Sequence, residues 1–274
     1  MPVNGQQIAA FADTHLRRIP LDVSPRHLAG PGDGRRVTHG LAAAGWQRTS
    51  DVLSPEIILS SPDHRYSLQF DPQSATSTWW TLRAGPAGDE LGWHATFAEL
   101  VPAEVLAAMT DALLAAPHPT GESDLFRTLR SANWPTDPEN TAHSPDGMCH
   151  VEHRFNDGHL TRFWTVDVYA PGQDTPWGRR LWHASFTGST PLHLVNAFVA
   201  ALADPAPLQR GMFDRTANHS AVRQPSQLTP QQVVAAHTGR LDAIRAQARA
   251  ARRQHPGPRP TALPPPAPIA APRR

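Results

Sequence analysis

The hexapeptide Gly92-Trp93-His94-Ala95-Thr96-Phe97 returns in the second half of the chain as Leu181-Trp182-His183-Ala184-Ser185-Phe186. In both copies apolar residues alternate with polar ones, which is the period of a β-strand with one buried face. Each copy is followed by a proline and by an apolar pattern of helical period, at residues 102–114 and 191–202. The sequence therefore predicts a strand followed by a helix, twice.

Other landmarks keep the same order around these two hexapeptides. They are Trp46 and Trp134, Ser61-Pro62-Asp63 and Ser144-Pro145-Asp146, and Trp80 and Trp164. Their spacing drifts slightly, as expected when loops change length while strands and helices are kept. A fixed order of repeated landmarks indicates an internal repeat, so we infer a tandem duplication.

Each copy is predicted to form a helix, four short strands and a second helix. In the first copy the first helix covers residues 37–45, and the strands cover residues 57–60, 66–70, 79–84 and 93–97. The Ser-Pro-Asp motif between the first two strands suits a type I turn with proline at its second position. Strand alternation directs one set of residues toward the core: Trp80, Leu82, Ala84, Trp93, Ala95 and Phe97, with Trp164, Val166 and Val168 in the second copy.

The predicted fold class is α+β. We expect two tandem copies of a helix–four-stranded antiparallel sheet–helix unit, packed as a pseudo-symmetric pair and followed by a C-terminal helix and a disordered tail. The predicted divisions are an N-terminal segment (1–21), the first repeat (22–116), the second repeat (124–208), a linker (209–228), an Arg-rich helix (229–254) and a Pro-rich tail (255–274).

These motifs resemble the SPDY-type domain, which is named for a Ser-Pro-Asp-aromatic motif, is abundant in streptomycetes and usually occurs in two copies. The segments that carry the resemblance are 23–33, 37–39, 45–46, 61–63 and 92–97, and it covers roughly residues 22–208. An actinobacterial origin agrees with a chain whose 25 basic residues are all arginine. His64 and Gly147 stand where the motif has its aromatic residue. The family has no assigned activity, so the resemblance implies an architecture and no mechanism.

The formal net charge of +1 conceals an uneven distribution. Residues 209–274 hold 11 of the 25 basic residues and only two acids, so the remainder of the chain is acidic. A basic segment of this kind binds an acidic partner such as nucleic acid, or it lies on the acidic body of its own chain.

Two aromatic residues are expected on the outward face of the predicted sheets. Alternation turns Trp79 outward beside Thr81 and Arg83, and it turns Phe163 outward at the equivalent strand. The candidate binding surface therefore consists of Trp79, Thr81, Arg83, His94, Phe163 and His183. The alternative is that a helix or the sister repeat covers these side chains.

His94 and His183 occupy the same strand position beside a hydroxyl residue, Thr96 or Ser185. A histidine near a hydroxyl suits acid–base or nucleophilic chemistry, but no acid is placed by the sequence to orient either ring. We therefore expect no catalytic residue in the chain. No glycine-rich phosphate loop is present, and no cofactor is expected.

Cys149, His150 and His153 form a Cys-His-x-x-His cluster, with His143 and His159 nearby. Zinc requires three or four convergent ligands, whereas positions 150 and 153 of a strand point to opposite faces. We expect no metal site. Because Cys149 is the single cysteine, the chain also has no internal disulfide, which fits a reducing cytoplasm.

The Arg-rich helix begins with the capping box Thr229-Pro230-Gln231-Gln232. A narrow apolar stripe follows, formed by Val233, Val234, Leu241, Ile244, Ala248 and Ala251. A basic flank accompanies it, formed by Arg245, Arg249, Arg252 and Arg253. Such a helix docks on a partner helix, on an acidic surface or on a nucleic-acid backbone, or it lies against its own body.

These observations favour a cytoplasmic, non-enzymatic tandem-repeat module that binds or scaffolds a protein partner. The alternative is a nucleic-acid-associated accessory protein that acts through the Arg-rich helix and tail. A third hypothesis is a hydrolase-type enzyme with a histidine-based site between the repeats. No apolar run long enough to cross a membrane and no signal peptide are present, so no membrane partner is expected.

Overall fold

A computed structural model describes residues 3–51, 53–88, 90–115, 125–137, 141–156, 161–171 and 178–254. Its helices are α1 (Gly5–Leu16), α2 (Arg35–Ala43), α3 (Ala103–Leu114), α4 (Leu125–Ser131), α5 (Leu192–Ala203) and α6 (Pro230–Gln254). Its strands are β1 (Pro20–Ser24), β2 (Gln47–Arg48), β3 (Ile57–Ser60), β4 (Tyr66–Phe70), β5 (Thr78–Ala84), β6 (Trp93–Ala98), β7 (Thr141–His143), β8 (Cys149–Asn156), β9 (Thr161–Ala170), β10 (Arg179–Thr187), β11 (Leu208–Gly211) and β12 (Val222–Pro225). The predicted helices and strands of the first copy, and the last helix of the second copy, are confirmed with bounds shifted by at most two residues.

The two copies share one nine-stranded antiparallel sheet with the strand order β2-β3-β4-β5-β6-β10-β9-β8-β7. They meet where β6 pairs with β10, with Thr96 opposite Ser185 and Phe97 opposite Ala184. The predicted α+β class with antiparallel sheets is confirmed. The sequence did not predict how the two four-stranded units join. They join edge to edge in one sheet, and this pairing satisfies the backbone N–H and C=O groups of both edge strands.

The joint between the copies is the centre of the hydrophobic core. Phe198 of α5 lies over it, with its ring centroid 5.4 Å from that of Phe97 and 5.3 Å from that of Phe186. All three rings are fully buried. Helices α3 and α5 pack against each other above the same strands. The face of β5 and β6 that was predicted to be buried is therefore confirmed.

A second, three-stranded sheet forms outside the two copies, with β1 between β11 and β12. The sequence predicts residues 209–228 as a linker, whereas the structure places the end of β11 and the whole of β12 there. All four residues of β12 are exposed. A strand whose side chains are all exposed has no alternating apolar pattern, which explains why the sequence does not predict it.

Helix α6 packs on α1 and α2. Its predicted capping box is confirmed, because Gln232 N–H donates to Thr229 Oγ1 over 3.3 Å and Thr229 N–H donates to Gln232 Oε1 over 2.8 Å. Leu241, from the predicted apolar stripe, is fully buried. Arg240 donates to both carboxylate oxygens of Asp111 on α3. The helix therefore lies on its own body, one of the placements that the sequence left open.

The predicted Pro-rich tail, residues 255–274, lies outside the described residues. Among the helices that the structure describes, none is long and apolar enough to cross a membrane.

Candidate binding grooves

The Ser-Pro-Asp turn holds its aspartate in a fixed orientation. In the first copy Ser61 Oγ donates to Asp63 Oδ1 over 2.5 Å and accepts from the backbone N–H of Tyr66 over 2.9 Å. The backbone N–H of His64 donates to the carbonyl of Ser61 over 2.9 Å and closes the predicted turn. The serine therefore occupies one carboxylate oxygen and leaves Oδ2 available for another partner.

The second copy repeats this arrangement. Ser144 Oγ donates to Asp146 Oδ1 and accepts from the backbone N–H of Cys149 over 2.9 Å. Gly147 closes the turn by donating to the carbonyl of Ser144 over 2.8 Å. Its φ is +71°, a left-handed conformation that glycine adopts without strain and that His64 adopts in the first copy with φ +57°.

The hydrogen bonds of the turn keep the first carboxylate ionised. Burial alone would raise the pKa of Asp63, but the hydrogen bonds from Ser61 and from the backbone N–H of Arg65 outweigh it. The pKa of Asp63 therefore lies below its ordinary value. At neutral pH each Ser-Pro-Asp turn presents a negative charge.

Each turn lines a groove, together with the tryptophan that follows the first helix of the copy and the end of its last helix. The first groove has Ala44, Trp46, Pro62, Asp63, Leu113 and Leu114 in its lining. The second groove has Ala132, Trp134, Pro145, Asp146, Leu202 and Ala203. These residues correspond position by position in the duplication, so the two grooves are equivalent parts of the two copies.

Residues 24–27 form the outer wall of the second groove. His27 is only 2% exposed, and its Nε2 lies 2.9 Å from Asp146 Oδ2. Its ring is edge-on to Trp134, and its carbonyl accepts from the indole N–H of Trp182 over 2.8 Å. Burial would raise the pKa of Asp146, but the hydrogen bond and charge of His27 and the hydrogen bond from Ser144 lower it to about 2.

Arg26 fixes the same segment to the end of α5. Its guanidinium donates to the carbonyls of Ala201 and Ala206, each over 2.7 Å, and lies 2.7 Å from Asp204. A cation at a helix C-terminus satisfies carbonyls that have no partner within the helix. Residues 26–28 form a single 3-10 turn after the strand β1, and two neighbouring basic side chains of this segment therefore bind it to the second groove.

The outer wall of the first groove is a different element, helix α6. Its contribution is Ile244, Gln247, Ala248, Ala251 and Arg252. Arg252 donates to the carbonyl of Ala44 over 3.4 Å. Within the described part of the chain, no side chain other than Ser61 bonds to Asp63. The cavity has a volume of about 530 Å³, against about 340 Å³ in the second groove.

The first groove also has an aromatic residue of its own. Tyr66 occupies the repeat position of Cys149, and its ring centroid lies 6.4 Å from that of Trp46. His27 lies at the same distance, 6.4 Å, from Trp134 in the second groove. Tyr66 is half-buried, and burial is the main cause of its raised pKa. The tyrosine therefore lies beside the tryptophan, as the histidine does in the second groove.

Ser144, Asp146 and His27 are the three residue types of a hydrolase triad, but their order is different. Asp146 stands between the other two, because Ser144 Oγ and His27 Nε2 both bond to its carboxylate. A triad requires the histidine between serine and acid, so that it can remove the proton of the nucleophile. This arrangement orients a carboxylate and does not activate a serine.

The residues predicted as a binding surface, apart from Trp79, lie on the face of the nine-stranded sheet opposite the helices, which we call the open face. Arg83 and His94 are exposed and directly opposite each other on β5 and β6. Thr81 is half-buried on the same face and lies opposite Thr96. His183 is half-buried on β10, where burial lowers its pKa.

The two predicted aromatic residues have different surroundings. Trp79 lies at an irregularity in the pairing of β5 with β6, where Thr78 and Trp80 pair in shifted register. It is half-buried against the core and meets the ring of Phe70 edge-on at 6.2 Å. Phe163 is half-buried on the open face, opposite Arg154 and Thr187. The structure therefore directs Trp79 partly toward the core.

His94 and His183 do not converge. His94 lies on β6 and His183 on β10. Because Phe97 pairs with Ala184, the two histidines are four residues apart along these neighbouring strands. At about 3.4 Å per residue this separation is roughly 14 Å. A shared histidine site between the repeats would require the two rings to lie within reach of one substrate atom, and the sheet register keeps them apart.

The residues of the Cys-His-x-x-His cluster face different environments. Cys149 is fully buried on the helix side of the sheet, and burial raises the pKa of its thiol. His150 lies next to His143, with their Nδ1 atoms 2.9 Å apart. His153 stacks on Trp164 with a centroid distance of 4.3 Å. Three or more ligand-type side chains do not converge anywhere in the described ranges, and His159 lies outside them.

The basic flank of α6 is divided between paired and exposed side chains. Arg245 donates to Asp242 over 2.8 Å, within the same helix. Arg252 lines the first groove. Arg249 and Arg253 are exposed.

A cluster of buried histidines between α1, α2 and α6 was not predicted. His39 Nδ1 lies 3.2 Å from His237 Nε2. The ring of Phe11 is stacked between His15 and His237, 4.0 Å from each. Burial lowers the pKa of His39 to about 4 and that of His237 to about 3, so both are neutral at neutral pH. The cluster attaches α6 to the body.

The sequence identified the Ser-Pro-Asp motif as a turn and did not predict the groove beside it. One signal was present: both copies keep a carboxylate at a position where the turn itself needs only a small polar residue. The contact of residues 24–27 with Asp146 could not be predicted, because it depends on the tertiary fold.

A family model matches the chain over residues 60–120 and 143–208. The match is to SPDY, a domain of unknown function (DUF317). Each matched segment begins immediately before a Ser-Pro-Asp turn and includes the last helix of its copy, so it contains two of the three parts of a groove. Nothing matches the chain among proteins of curated function or among solved structures.

Proposed function

We propose that this chain is a non-enzymatic tandem-repeat module that binds a segment of a partner protein in its first groove. One observation carries the proposal: in the second copy the Ser-Pro-Asp turn already binds residues 24–27 of the chain itself, which form the outer wall of the groove, with His27 bonded to Asp146. A duplicated domain that binds a segment in one copy has the same binding elements in the other.

The dimensions and chemistry of the first groove support this function. Its volume of about 530 Å³ lies in the range of ligand-binding clefts. Apolar walls from α3 and α6 enclose an oriented carboxylate, a combination that gives both contact area and directional recognition. The chemistry of the remaining histidines supports binding over catalysis, because Asp146 separates Ser144 from His27 and the register separates His94 from His183.

Two predictions from the sequence remain proposals beside this one. The open face with Arg83 and His94 is a second candidate surface for a protein partner. Nucleic-acid binding through the Arg-rich helix is the alternative function, and its test is described in the Discussion.

The test is a selection of random displayed dodecapeptides on the full chain, followed by binding measurements on a variant with a filled groove. Ala248→Trp places an indole inside the groove from the α6 wall. Ala235→Trp is the matched control, because Ala235 is exposed on the same helix and does not line the groove. Circular dichroism and urea unfolding would show that both variants fold.

We expect selected peptides to bind the parent chain and the Ala235→Trp variant equally, and to bind the Ala248→Trp variant at least tenfold more weakly. Peptides that bind all three proteins alike would overturn the groove as the binding site. Failure to enrich any peptide over an unrelated control protein would overturn the function.

A further inference from the structure

The two grooves differ in how their carboxylates are used, and this difference indicates what the first groove binds. Asp146 receives the imidazole of His27 at Oδ2. Asp63 has the same bonds from its serine and from the backbone, but no basic side chain of the described residues contacts its Oδ2. The first turn thus presents the same acceptor without the same cation.

The indole N–H of the tryptophan in the hexapeptide repeat also differs between the two copies. Trp182 donates its indole N–H to the main-chain carbonyl of His27. Trp93 is the counterpart of Trp182 in the hexapeptide repeat, and within the described ranges no residue accepts a hydrogen bond from its indole. Residues 24–27 therefore supply the second copy with a main-chain acceptor and a basic side chain, and the described residues supply neither at the equivalent positions of the first copy.

We propose that the first groove binds a partner segment in which a basic side chain follows a proline, as in Ser24-Pro25-Arg26-His27. This inference rests on the proposed function and specifies its ligand. The basic group bonds to Asp63, and the proline fixes one backbone angle of the segment, so that less conformational entropy is lost on binding.

Tyr66 narrows the choice of basic group. The ring of Tyr66 lies 6.4 Å from that of Trp46, the same distance that separates His27 from Trp134, so the space beside the tryptophan is already filled in the first groove. The cavity lies between Asp63 and α6, so the cation approaches from the side of the helix. The guanidinium of Arg65 already lies over the ring of Tyr66, 5.2 Å from its centroid, so the partner's cation is expected to pair with the carboxylate alone. A guanidinium on a longer stem reaches that carboxylate and forms two charge-assisted hydrogen bonds with it.

The probe is a fluorescein-labelled peptide with the sequence of residues 20–30, titrated with the full-length chain and followed by fluorescence anisotropy. A second peptide carries alanine in place of both Arg26 and His27. Asp63→Asn removes the charge and keeps the shape and the bond from Ser61. Asp13→Asn is the charge-matched control, since Asp13 is exposed on α1, outside the groove.

We expect the natural peptide to bind the parent chain and the Asp13→Asn variant within twofold of each other. The Asp63→Asn variant should bind it at least tenfold more weakly, and so should the Ala248→Trp variant. The doubly substituted peptide should lose binding to the parent chain to the same extent. A peptide with arginine at both basic positions should bind at least as well as the natural one.

Peptide binding that is unchanged by Asp63→Asn would overturn this inference, as would no binding to the parent chain at millimolar concentration. The proposed function fails differently. If the displayed library yields groove-dependent peptides that lack basic residues and ignore Asp63→Asn, the function stands and the ligand chemistry is wrong. If no groove-dependent peptide is found, both are wrong.

Discussion

Thr96 and Ser185 lie opposite each other at the joint of the two copies, and each is the counterpart of the other in the duplication. A pseudo-two-fold relation therefore passes between them. On one side Ala95 pairs with Phe186, and on the other Phe97 pairs with Ala184. The joint reproduces the pairing of a symmetric dimer within one chain, which buries both edge strands and makes the two copies mutually dependent.

This dependence predicts that the nine-stranded sheet unfolds as one unit. Phe186→Ala removes a fully buried ring in contact with Phe97 and Phe198, so we expect it to cost about 3–5 kcal/mol. Urea unfolding followed by tryptophan fluorescence and by circular dichroism should shift in parallel to lower urea. Phe213→Ala, at a side chain that is 94% exposed, is the control and should change stability by less than about 0.5 kcal/mol. Two separate transitions would contradict the single unit.

The contact between His27 and Asp146 predicts a pH-dependent contribution to stability. The pKa of Asp146 is lowered to about 2 in the folded chain, against an ordinary value of 3.8. A lowered carboxylate pKa stabilises the fold above the unfolded value and loses this effect as the pH falls toward the folded one. We expect Asp146→Asn to cost about 1–2 kcal/mol at pH 7, discounted for partial exposure, and to cost progressively less between pH 4 and pH 2.

The measurement is urea unfolding of the parent chain and the variant at several pH values. Asp63→Asn is the matched control, because the same turn lacks a histidine partner there and should lose less at pH 7. A cost for Asp146→Asn that does not change between pH 7 and pH 2 would contradict the role of the ionised pair.

Strands and helices of the repeats could be predicted from the sequence because their residues alternate with a clear period. Trp93, Ala95 and Phe97 define a buried strand face, and the Ser-Pro-Asp turn fixes the hairpin before it. The joining of the two sheets could not be predicted in this way. Thr96 and Ser185 carry no signal for pairing with each other, since an edge strand has the same alternation whether or not it is paired.

The grooves could not be predicted from the sequence for a related reason. Asp63 and Asp146 were visible as repeated residues, but a groove requires the relative placement of a turn, a tryptophan and a distant helix end. His27 contacts Asp146 across more than a hundred residues. Local periodicity does not report such contacts, and the surface that alternation did predict, around Trp79, is altered by a shift in strand register.

The histidine cluster predicts that stability falls in mild acid. His39 and His237 are neutral in the folded chain, with pKa values of about 4 and about 3, whereas unfolded histidines take up protons near pH 6.5. Because the unfolded chain binds more protons in this interval, the free energy of unfolding decreases as the pH falls from about 6.5 toward 4. Each histidine contributes up to about 1.4 kcal/mol per pH unit.

Replacing one ring tests this account. His237→Phe keeps the stacking on Phe11 and removes one titrating group, so the loss of stability between pH 6 and pH 4 should be shallower by up to one proton. Urea midpoints measured across this range report the slope directly. His219→Phe, at an exposed histidine, is the control and should leave the slope unchanged. An identical slope for parent and His237→Phe would show that other groups set the acid sensitivity.

Some arginines of α6 hold the helix on the body of the chain, whereas others are exposed. Substituting the two kinds separately tests whether α6 binds nucleic acid. Arg240 makes two hydrogen bonds to Asp111, so Arg240→Glu should destabilise the chain by about 2 kcal/mol or more through like-charge repulsion. Replacing both Arg249 and Arg253 by glutamate should change the free energy of unfolding by less than about 0.5 kcal/mol, because both side chains are exposed.

The fluorescence anisotropy of labelled duplex DNA, measured at low and at physiological salt, then distinguishes nucleic-acid binding from its absence. Salt-sensitive binding that disappears in the double variant would make α6 an electrostatic anchor, since each phosphate contact contributes to the salt dependence. Binding that is negligible in both proteins leaves the grooves as the sites to pursue, and this is the result we expect.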